Sequence, residues 1–331
     1  MARNDRSEWE PEWRISWRPM VSADVPAIHE LIERVEDHDN PPYRTSKDEV
    51  RAWFAPGTAW HGRIGIAVGG TRDGSVICYS QVMTLQSDEP TCVCRSGVDP
   101  DYRHRGLGEH LVTWEVDEAK AILRRLTGHG KGRIIVNVDA GQYGMEEQLE
   151  RHGFSRMRSA YEMRRELSQL PDPPELGRYQ EVRVWDDMLD EQARKLFNRL
   201  RGRGQGDHLQ SRERWLSQQE AFVPEWSFAA VDLVGDRPNV IGFVMVSAYR
   251  QDWDALGWRE GYIDLIAADE VATNTGVSQA LIIESMRAQR RDGMDRVATG
   301  IGDPVNDPVA KLYGTLDFGR SFETHAFALE V

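Results

Sequence analysis

The sequence predicts an α/β protein built from two related domains, and three observations support this prediction. A run typical of a β-strand is followed by a turn rich in arginine and glycine, and then by a run with helical spacing. A degenerate copy of that arrangement occurs 170 residues further along the chain. A proline-rich, polar segment separates the copies, and 331 residues with 40% apolar composition are enough for two packed cores.

The turn of the first copy, residues 98–108, carries the strongest chemical signal in the chain. Residues 91–98 before it are β-branched and cysteine-rich, and residues 109–125 after it have apolar side chains at helical spacing. A helix that starts at Gly106 presents unpaired N–H groups and the positive end of its dipole, and glycine lets a phosphate approach the backbone. The turn therefore predicts a binding site for a diphosphate, with an ordinary basic turn as the alternative interpretation.

Arg103, Gly106 and Gly108 have the spacing of the acyl-CoA-binding motif of the GNAT acetyltransferase superfamily. A strand-like run, a helical run and a Gly-Phe pair follow within residues 134–154, in the order that this family shows. The chain therefore resembles a GNAT protein, which implies mixed, twisted sheets with helices on both faces. The resemblance also implies that two strands splay apart to hold the pantetheine of acetyl-CoA. The cofactor residues that it implies for the first domain are Val98, Arg103, His104, Arg105, Gly106, Leu107, Gly108 and Asn137.

The second copy aligns when Gly276 is superposed on the first glycine of the motif. The hydrophobic strand-like runs at 76–82 and 240–246, each preceded by a turn, match as well. Thr273 and Ser278 replace the arginine and the second glycine, but backbone amides do most of the binding at such a loop, so we still expect an anion site. The cofactor residues implied for the second domain are Ala268, Thr273, Asn274, Thr275, Gly276, Val277, Ser278 and Asn306.

The boundary between the domains is predicted from composition. The segment around residues 168–177 is proline-rich and polar and lies between two strand-like runs. We therefore expect an N-terminal GNAT-like domain at 1–170 with the intact acyl-CoA loop, a linker at 171–177, and a C-terminal GNAT-like domain at 178–331.

Acetyl transfer to an amine needs a base that takes a proton from the amine and an acid that protonates the departing CoA thiolate. In the GNAT family a carboxylate on the strand before the loop and a tyrosine on a later helix often have these roles, and the resemblance places Asp264 and Tyr313 there in the second domain. The matching positions of the first domain hold Cys94 and Leu149, which suit neither role. We therefore assign catalysis to the second domain and a structural or regulatory CoA-binding role to the first. The alternative is that Asp264 only pairs with a basic group and Tyr313 only packs.

Composition excludes several classes of protein. A net charge of −13 argues against a partner that is a nucleic acid, and no apolar run reaches the ~20 residues of a membrane span. Without a secretory signal in the sequence, we expect a cytoplasmic protein. The three cysteines, Cys78, Cys92 and Cys94, are too few for a disulfide framework and lack further ligands for zinc, so we expect no metal.

The sequence therefore predicts an acetyl-CoA-dependent N-acetyltransferase that acetylates the primary amine of a small molecule, as a monomer or a homodimer. The tandem layout also resembles that of the mycothiol synthases, which implies a cysteinyl pseudo-disaccharide as an alternative acceptor. A CoA-binding module without catalysis is a second alternative. An acidic pocket near Asp252, Asp254 and Glu260 that admits an aminoglycoside or polyamine is a third. The enzyme interpretation requires Asp264 and Tyr313 to meet at one cleft.

Overall fold

The computed structural model divides the chain into two compact units. It describes residues 15–54, 65–70, 75–85, 89–128, 130–201, 210–212, 215, 221–235, 237–269, 272, 275–302 and 308–331. The first unit lies within Met1–Val138, Gln142–Arg156 and Phe327–Val331, and the second within Asp139–Gly141 and Met157–Ala326. Within the described parts of the chain, no helix combines the length and the apolar character that a membrane span requires.

The first unit is a mixed sheet with helices on both faces, as predicted. Its strands lie in the order β1-β2-β3-β4-β5, with β4 and β5 parallel and the other neighbours antiparallel. The elements are β1 (Ser16–Pro19), α1 (Val25–Asp39), α2 (Lys47–Ala52), β2 (Gly65–Gly70), β3 (Val76–Leu85), β4 (Thr91–Val98), α3 (Leu107–Thr127), β5 (Arg133–Asp139) and α4 (Tyr143–Arg151).

Alternation along β3 explains why this sheet is covered on both sides. Val82 points to the face where Val112 and Ala119 of α3 are buried. Tyr79 points to the opposite face, where α1 packs through Ile28 and neighbouring apolar residues. Burial of these apolar stripes against a sheet is the main force that holds such amphipathic helices in place.

The second unit repeats this architecture. Its strands lie in the order β12-β6-β11-β10-β9-β8-β7, with β10 and β11 parallel. One face is covered by α7 and the other by α5. The elements are β6 (Ser155–Glu166), β7 (Gln180–Val184), α5 (Asp187–Arg201), β8 (Phe228–Asp232), β9 (Asn239–Ser247), α6 (Trp253–Leu256), β10 (Glu260–Ala268), α7 (Val277–Arg291), β11 (Arg296–Ile301), α8 (Pro308–Thr315) and β12 (Gly319–Glu330).

A matching ion pair supports the internal repeat. In the first unit Arg34 of α1 binds Asp99, directly after β4, at 2.8 Å. In the second unit Arg199 of α5 binds Asp269, directly after β10, at 3.0 Å. The same pair therefore joins the first helix to the end of the same strand in both copies.

The compact units do not follow the predicted boundaries at residues 170 and 178. Strand β6 pairs with β11, from Tyr161 opposite Ile301 to Glu166 opposite Arg296, and so belongs mostly to the second unit. The last residues of the chain return to the first unit, where Val331 and Gly132 exchange backbone hydrogen bonds. Composition locates a linker but does not reveal which sheet a strand joins, because strand pairing is decided by tertiary contacts.

Candidate active site

The loop after β4 in the first unit has the local structure of an anion site. Gly106 adopts a φ of 82° and caps α3, and the first helical bond runs from the N–H of His110 to the C=O of Gly106 at 3.1 Å. The N–H groups of residues 107–109 therefore have no partner within the helix and lie at its positive end. His104, at a φ of 59°, and Arg105 are exposed on the same loop.

Arg103, which the resemblance implies as a cofactor residue, is paired with a carboxylate of α1. Its guanidinium forms two bonds to the carboxylate of Asp39, at 2.6 and 2.7 Å, and its Nε donates to the C=O of Val98 at 3.2 Å. The charge of Arg103 is therefore matched by Asp39, and the side chain ties the loop to α1. Arg105, whose guanidinium lies 5.3 Å from the ring of Tyr102, supplies an exposed positive charge on this loop.

Gly108 and Asn137 border the same region. A Cβ at Gly108 would come within 3.1 Å of Oε1 of Gln148, so the glycine lets α3 approach α4. Asn137 is exposed on β5, directly after the last residue that pairs with β4.

In each unit the two parallel strands pair over four residues and then diverge. We call the divergence of β4 and β5 the first fork and that of β10 and β11 the second fork. Beyond a fork the facing backbone groups have no partner across the gap, so an extended chain that carries amides can bind there. The last paired residues are Cys94 with Val136 at the first fork, and Ile263 with Thr299 at the second.

The second loop keeps the backbone of the first. Gly276 has a φ of 80° and caps α7, and the N–H of Ala280 donates to its C=O at 2.9 Å. Val277 is buried, and Ser278 lies half-buried in the first helical turn. Thr275 donates its hydroxyl to the C=O of Ala272 at 2.8 Å, and Ala268 ends β10. The predicted residues Thr273, Asn274 and Asn306 lie outside the described part of the chain.

The predicted linker contacts this second loop. A Cβ at Gly276 would come within 3.0 Å of Cγ of Pro174, so Pro174 lies beside this glycine. Asp172 in the same segment accepts a hydrogen bond from Arg287 of α7 at 2.8 Å. The linker is therefore packed along α7 and is part of the surroundings of the second loop.

Asp264 occupies a β-bulge at the second fork. On the antiparallel neighbour β9, Ile263 lies opposite Val246 and Leu265 lies opposite Met245, which leaves Asp264 as an extra residue. In the first unit β3 and β4 pair without an interruption, so Asp264 has no counterpart there. The constant offset that pairs Asp264 with Cys94 therefore needs correction, because the register changes at the bulge. Bulges redirect a side chain and are frequent next to active sites.

The carboxylate of Asp264 is held by two hydroxyl groups. It accepts hydrogen bonds from the hydroxyls of Ser247 and Tyr249, the latter at 2.9 Å. Burial by the surrounding protein raises the pKa of Asp264 above its ordinary value, and the two hydroxyl donors oppose that rise. The residue is still accessible to solvent, and no salt bridge to a basic side chain is formed by Asp264 among the described residues. A carboxylate with a raised pKa that remains accessible to solvent suits a general base.

Tyr313 reaches the same fork from the other face of the sheet. It is buried in the core beneath α7, against Phe318, and its hydroxyl lies 3.4 Å from Oγ1 of Thr299. Thr299 in turn donates to the C=O of Ile263, the residue before Asp264. The two predicted catalytic residues therefore flank one fork, with Asp264 on the Ser247 side and Tyr313 on the α7 side.

Comparison with known proteins agrees with this architecture, although no family model matches the chain. A mycothiol acetyltransferase of Thermobispora bispora is 27% identical over 229 residues, which cover 67% of this chain and 71% of that protein. Another, from Actinosynnema mirum, is 24% identical over 256 residues, which cover 75% and 78%.

Two solved structures share the fold over almost the whole length. A GCN5-related N-acetyltransferase from Sphaerobacter thermophilus has a TM-score of 0.69 at 22% identity and covers 97% of both chains. A tandem GNAT protein from the clavulanic acid biosynthesis pathway has a TM-score of 0.69 at 14% identity and covers 96% of this chain and 98% of its own. The chain has the tandem GNAT fold, and the curated proteins that it resembles are acetyltransferases.

In the first unit Asp264 has no counterpart, Cys94 is the last paired residue of the first fork, and Leu149 lies at the position of Tyr313. Cys94 is buried, and burial raises the pKa of its thiol well above the ordinary value. Leu149 is fully buried in the core between α3 and the sheet. The predicted difference between the two GNAT units therefore has a physical basis, since neither side chain can exchange a proton near neutral pH.

Sequence reasoning missed the groups that surround Asp264. Ser247 and Tyr249 stand at the end of β9, opposite the bulge, and could have been found only by pairing the two strands. Glu260, one of the candidates for an acidic acceptor pocket, is buried and binds Arg164 at 3.1 Å and Nε1 of Trp258 at 2.7 Å. Its carboxylate is therefore already paired.

Proposed function

We propose that this tandem GNAT protein transfers an acetyl group from acetyl-CoA to the primary amine of a small molecule, and that the second unit is catalytic. The observation that carries the proposal is the bulge that places Asp264 at the second fork, level with the hydroxyl of Tyr313. The first unit, with its glycine loop, would bind CoA in a structural or regulatory role.

The chemistry follows from these two side chains. Asp264 takes a proton from the acceptor amine, whose nitrogen then attacks the carbonyl carbon of the thioester. The new C–N bond forms, the C–S bond breaks, and Tyr313 gives its phenolic proton to the departing thiolate. The proton taken by Asp264 and the one lost by Tyr313 then exchange with water, which restores both groups.

The donor would be held by backbone groups more than by side chains. The unpaired N–H groups at the start of α7, beginning at Val277, fit the diphosphate, and the gap beyond the second fork fits the extended pantetheine. Ser278 adds a hydroxyl to the first turn of the helix.

The electrostatics of the second unit support a cationic acceptor. On the face of the sheet that carries Asp264, the nearby carboxylates Glu162 and Glu260 share Arg164, at 2.8 and 3.1 Å. Three carboxylates against one guanidinium leave this face negative, which favours the approach of an ammonium group.

A second candidate for the acceptor comes from the curated relatives. Both are named mycothiol acetyltransferase, so the amine of a cysteinyl pseudo-disaccharide belongs in any acceptor screen.

The experiment uses matched charge variants of the two loops. Gly108 and Ser278 are each the second residue of their helix, α3 and α7. An aspartate substituted at this position is compatible with the helix dipole, but its negative charge repels a diphosphate. Acetyl-CoA binding is measured by calorimetry for the wild type, Gly108→Asp and Ser278→Asp, with the asparagine variants as controls for shape. A panel of amines is then scored by release of the CoA thiol.

The proposal expects loss of turnover in Ser278→Asp and retained turnover in Gly108→Asp. Loss of one binding site in each aspartate variant would further support a CoA-binding role for both units. Turnover that disappears only in Gly108→Asp would place catalysis in the first unit and refute the assignment. If no amine in the panel causes release of the CoA thiol, the result would support the non-catalytic module instead.

A further inference from the structure

The two copies differ on the face of the sheet opposite the helix that follows the glycine loop. In the second unit this face is an apolar core, in which Phe243 and Met245 of β9 pack with Leu265 of β10. Trp215 covers them, with its ring centroid 6.0 Å from that of Phe243. The strand registers give the corresponding residues of the first unit without ambiguity, because β3 and β9 carry the same irregularity near Ile77 and Ile241. The corresponding residues are Tyr79 for Phe243, Gln81 for Met245 and Arg95 for Leu265.

In the first unit, therefore, the polar residues Gln81 and Arg95 stand where the second unit has the apolar residues Met245 and Leu265. Gln81 is fully buried, and both polar atoms of its amide lack a hydrogen-bond partner among the residues that the structure describes. An amide buried without a partner costs folding free energy, so its presence needs an explanation.

Arg95 lies opposite Gln81 on the neighbouring strand and directly follows Cys94, the last paired residue of the first fork. Its guanidinium is exposed, lies 5.6 Å from the ring of Trp53, and has no ion-pair partner among the described residues. An arginine held over an aromatic ring at the rim of a buried amide is suited to a carboxylate.

Aromatic rings form the rest of the surroundings. Tyr79 packs against Trp53 with ring centroids 5.6 Å apart, and its ring covers Gly97, where a Cβ would come within 2.6 Å of it. The first unit therefore combines an unpaired amide, a free guanidinium and two aromatic rings where the second unit has only packed apolar side chains.

We propose that Trp53, Tyr79, Gln81 and Arg95 form a second ligand site, on the face of the first unit that α1 covers, for an N-acylated amino acid. The amide of such a ligand supplies both the donor and the acceptor that Gln81 lacks, and its carboxylate pairs with Arg95. The acyl group or side chain lies against Trp53 and Tyr79. The site is separate from the diphosphate loop and does not depend on which unit is catalytic.

The second unit itself suggests the variants that test this site. Gln81→Met and Arg95→Leu install the residues that the chain already uses at the corresponding positions. Binding of N-acetylphenylalanine and N-acetylglycine to the full-length protein is measured by calorimetry, with N-acetylphenylalanine methyl ester as the uncharged probe. Gln289→Met, at a buried glutamine of α7 in the second unit, is the matched control.

The proposal expects the acid probes to bind the wild type and the Gln289→Met control, and the ester to bind at least about tenfold more weakly. Gln81→Met and Arg95→Leu should each weaken the acids by about tenfold or more, while Gln81→Met raises the melting temperature by about 2–4 °C because the unpaired amide is gone. Weaker binding of the acids together with a higher melting temperature would distinguish a ligand-binding role of Gln81 from a structural role, because loss of a structural residue lowers the melting temperature.

Three results would overturn the proposal. The acids fail to bind the wild type at millimolar concentration, they bind Gln81→Met as well as the wild type, or Gln81→Met weakens acetyl-CoA and not the acids. The last result would assign the amide partner to the pantetheine of the donor rather than to a separate ligand.

Discussion

Removing the hydroxyl of Ser247 tests whether Asp264 is the base, because it leaves the carboxylate in place and changes only its pKa. Ser247 donates to Asp264, and this bond favours the ionised form against the burial that raises the pKa. A hydrogen bond to a charged group contributes about 1.5–3 kcal/mol, and one pKa unit corresponds to about 1.4 kcal/mol. Ser247→Ala should therefore raise the pKa of Asp264 further, with Tyr249 still bound to it.

The assay is the pH dependence of kcat/KM for acetyl transfer to an amine. Since only ionised Asp264 accepts a proton, activity falls on the acid side of its pKa, and this acid limb should move to higher pH in Ser247→Ala. Activity well above the limb should stay near that of the wild type. Ser285→Ala, a buried serine on α7, removes a hydroxyl elsewhere and should leave the limb in place.

An acid limb that does not move, or that moves to lower pH, would refute the role of Asp264. Stability provides an independent check of the sign. The pKa of Asp264 is higher in the folded than in the unfolded state, so stability falls as the pH rises through that interval and is constant above it. Ser247→Ala raises the folded-state pKa of Asp264 and so increases its difference from the unfolded-state pKa. Urea unfolding should therefore show that the variant loses more stability than the wild type between pH 4 and neutral pH.

Three further predictions concern single residues. Tyr313→Phe should lower kcat by about 100-fold or more, because it removes the proton that the proposal gives to the departing thiolate; unchanged thiol release would exclude Tyr313 as the acid. Burial raises the pKa of Glu115 to about 7, so the folded protein should lose stability on the order of 3 kcal/mol between about pH 4.5 and pH 7, and urea unfolding of Glu115→Gln should lack that slope. Gly276→Ala should lower the free energy of unfolding by about 1–2 kcal/mol, because the φ of Gly276 is 80° and Pro174 is close to it. Gly314→Ala, in open space within α8, is the control and should not be destabilising. Equal melting temperatures for the two variants would contradict the conformation of the second loop.

Local sequence was sufficient for the parts of the fold that local interactions decide. The glycines at 106 and 276 predict two helix starts, and both have the positive φ that glycine allows. The tandem arrangement could be predicted from the repeated pattern around those loops, whereas the mixed sheets and the acyltransferase class were implied by the resemblance of the first loop to the GNAT motif. The strand-like runs at 76–82 and 240–246 also lie in the matching strands β3 and β9.

The surroundings of each candidate site could not be predicted in the same way. The bulge at Asp264 exists only in the pairing of β10 with β9, and the partner of Arg103 is Asp39, 64 residues away in sequence. Pro174 reaches Gly276 only because the linker packs along α7.

The amino-acid sequence by itself determined the two glycine loops and the repeat, because turn and helix signals act over a few residues. The tertiary structure decided which sheet β6 joins, which residue the bulge at the second fork exposes, and which buried amide lacks a partner. These outcomes depend on contacts between strands and helices far apart in sequence, where the pairing register and burial, rather than residue type, set the environment of Asp264 and Gln81.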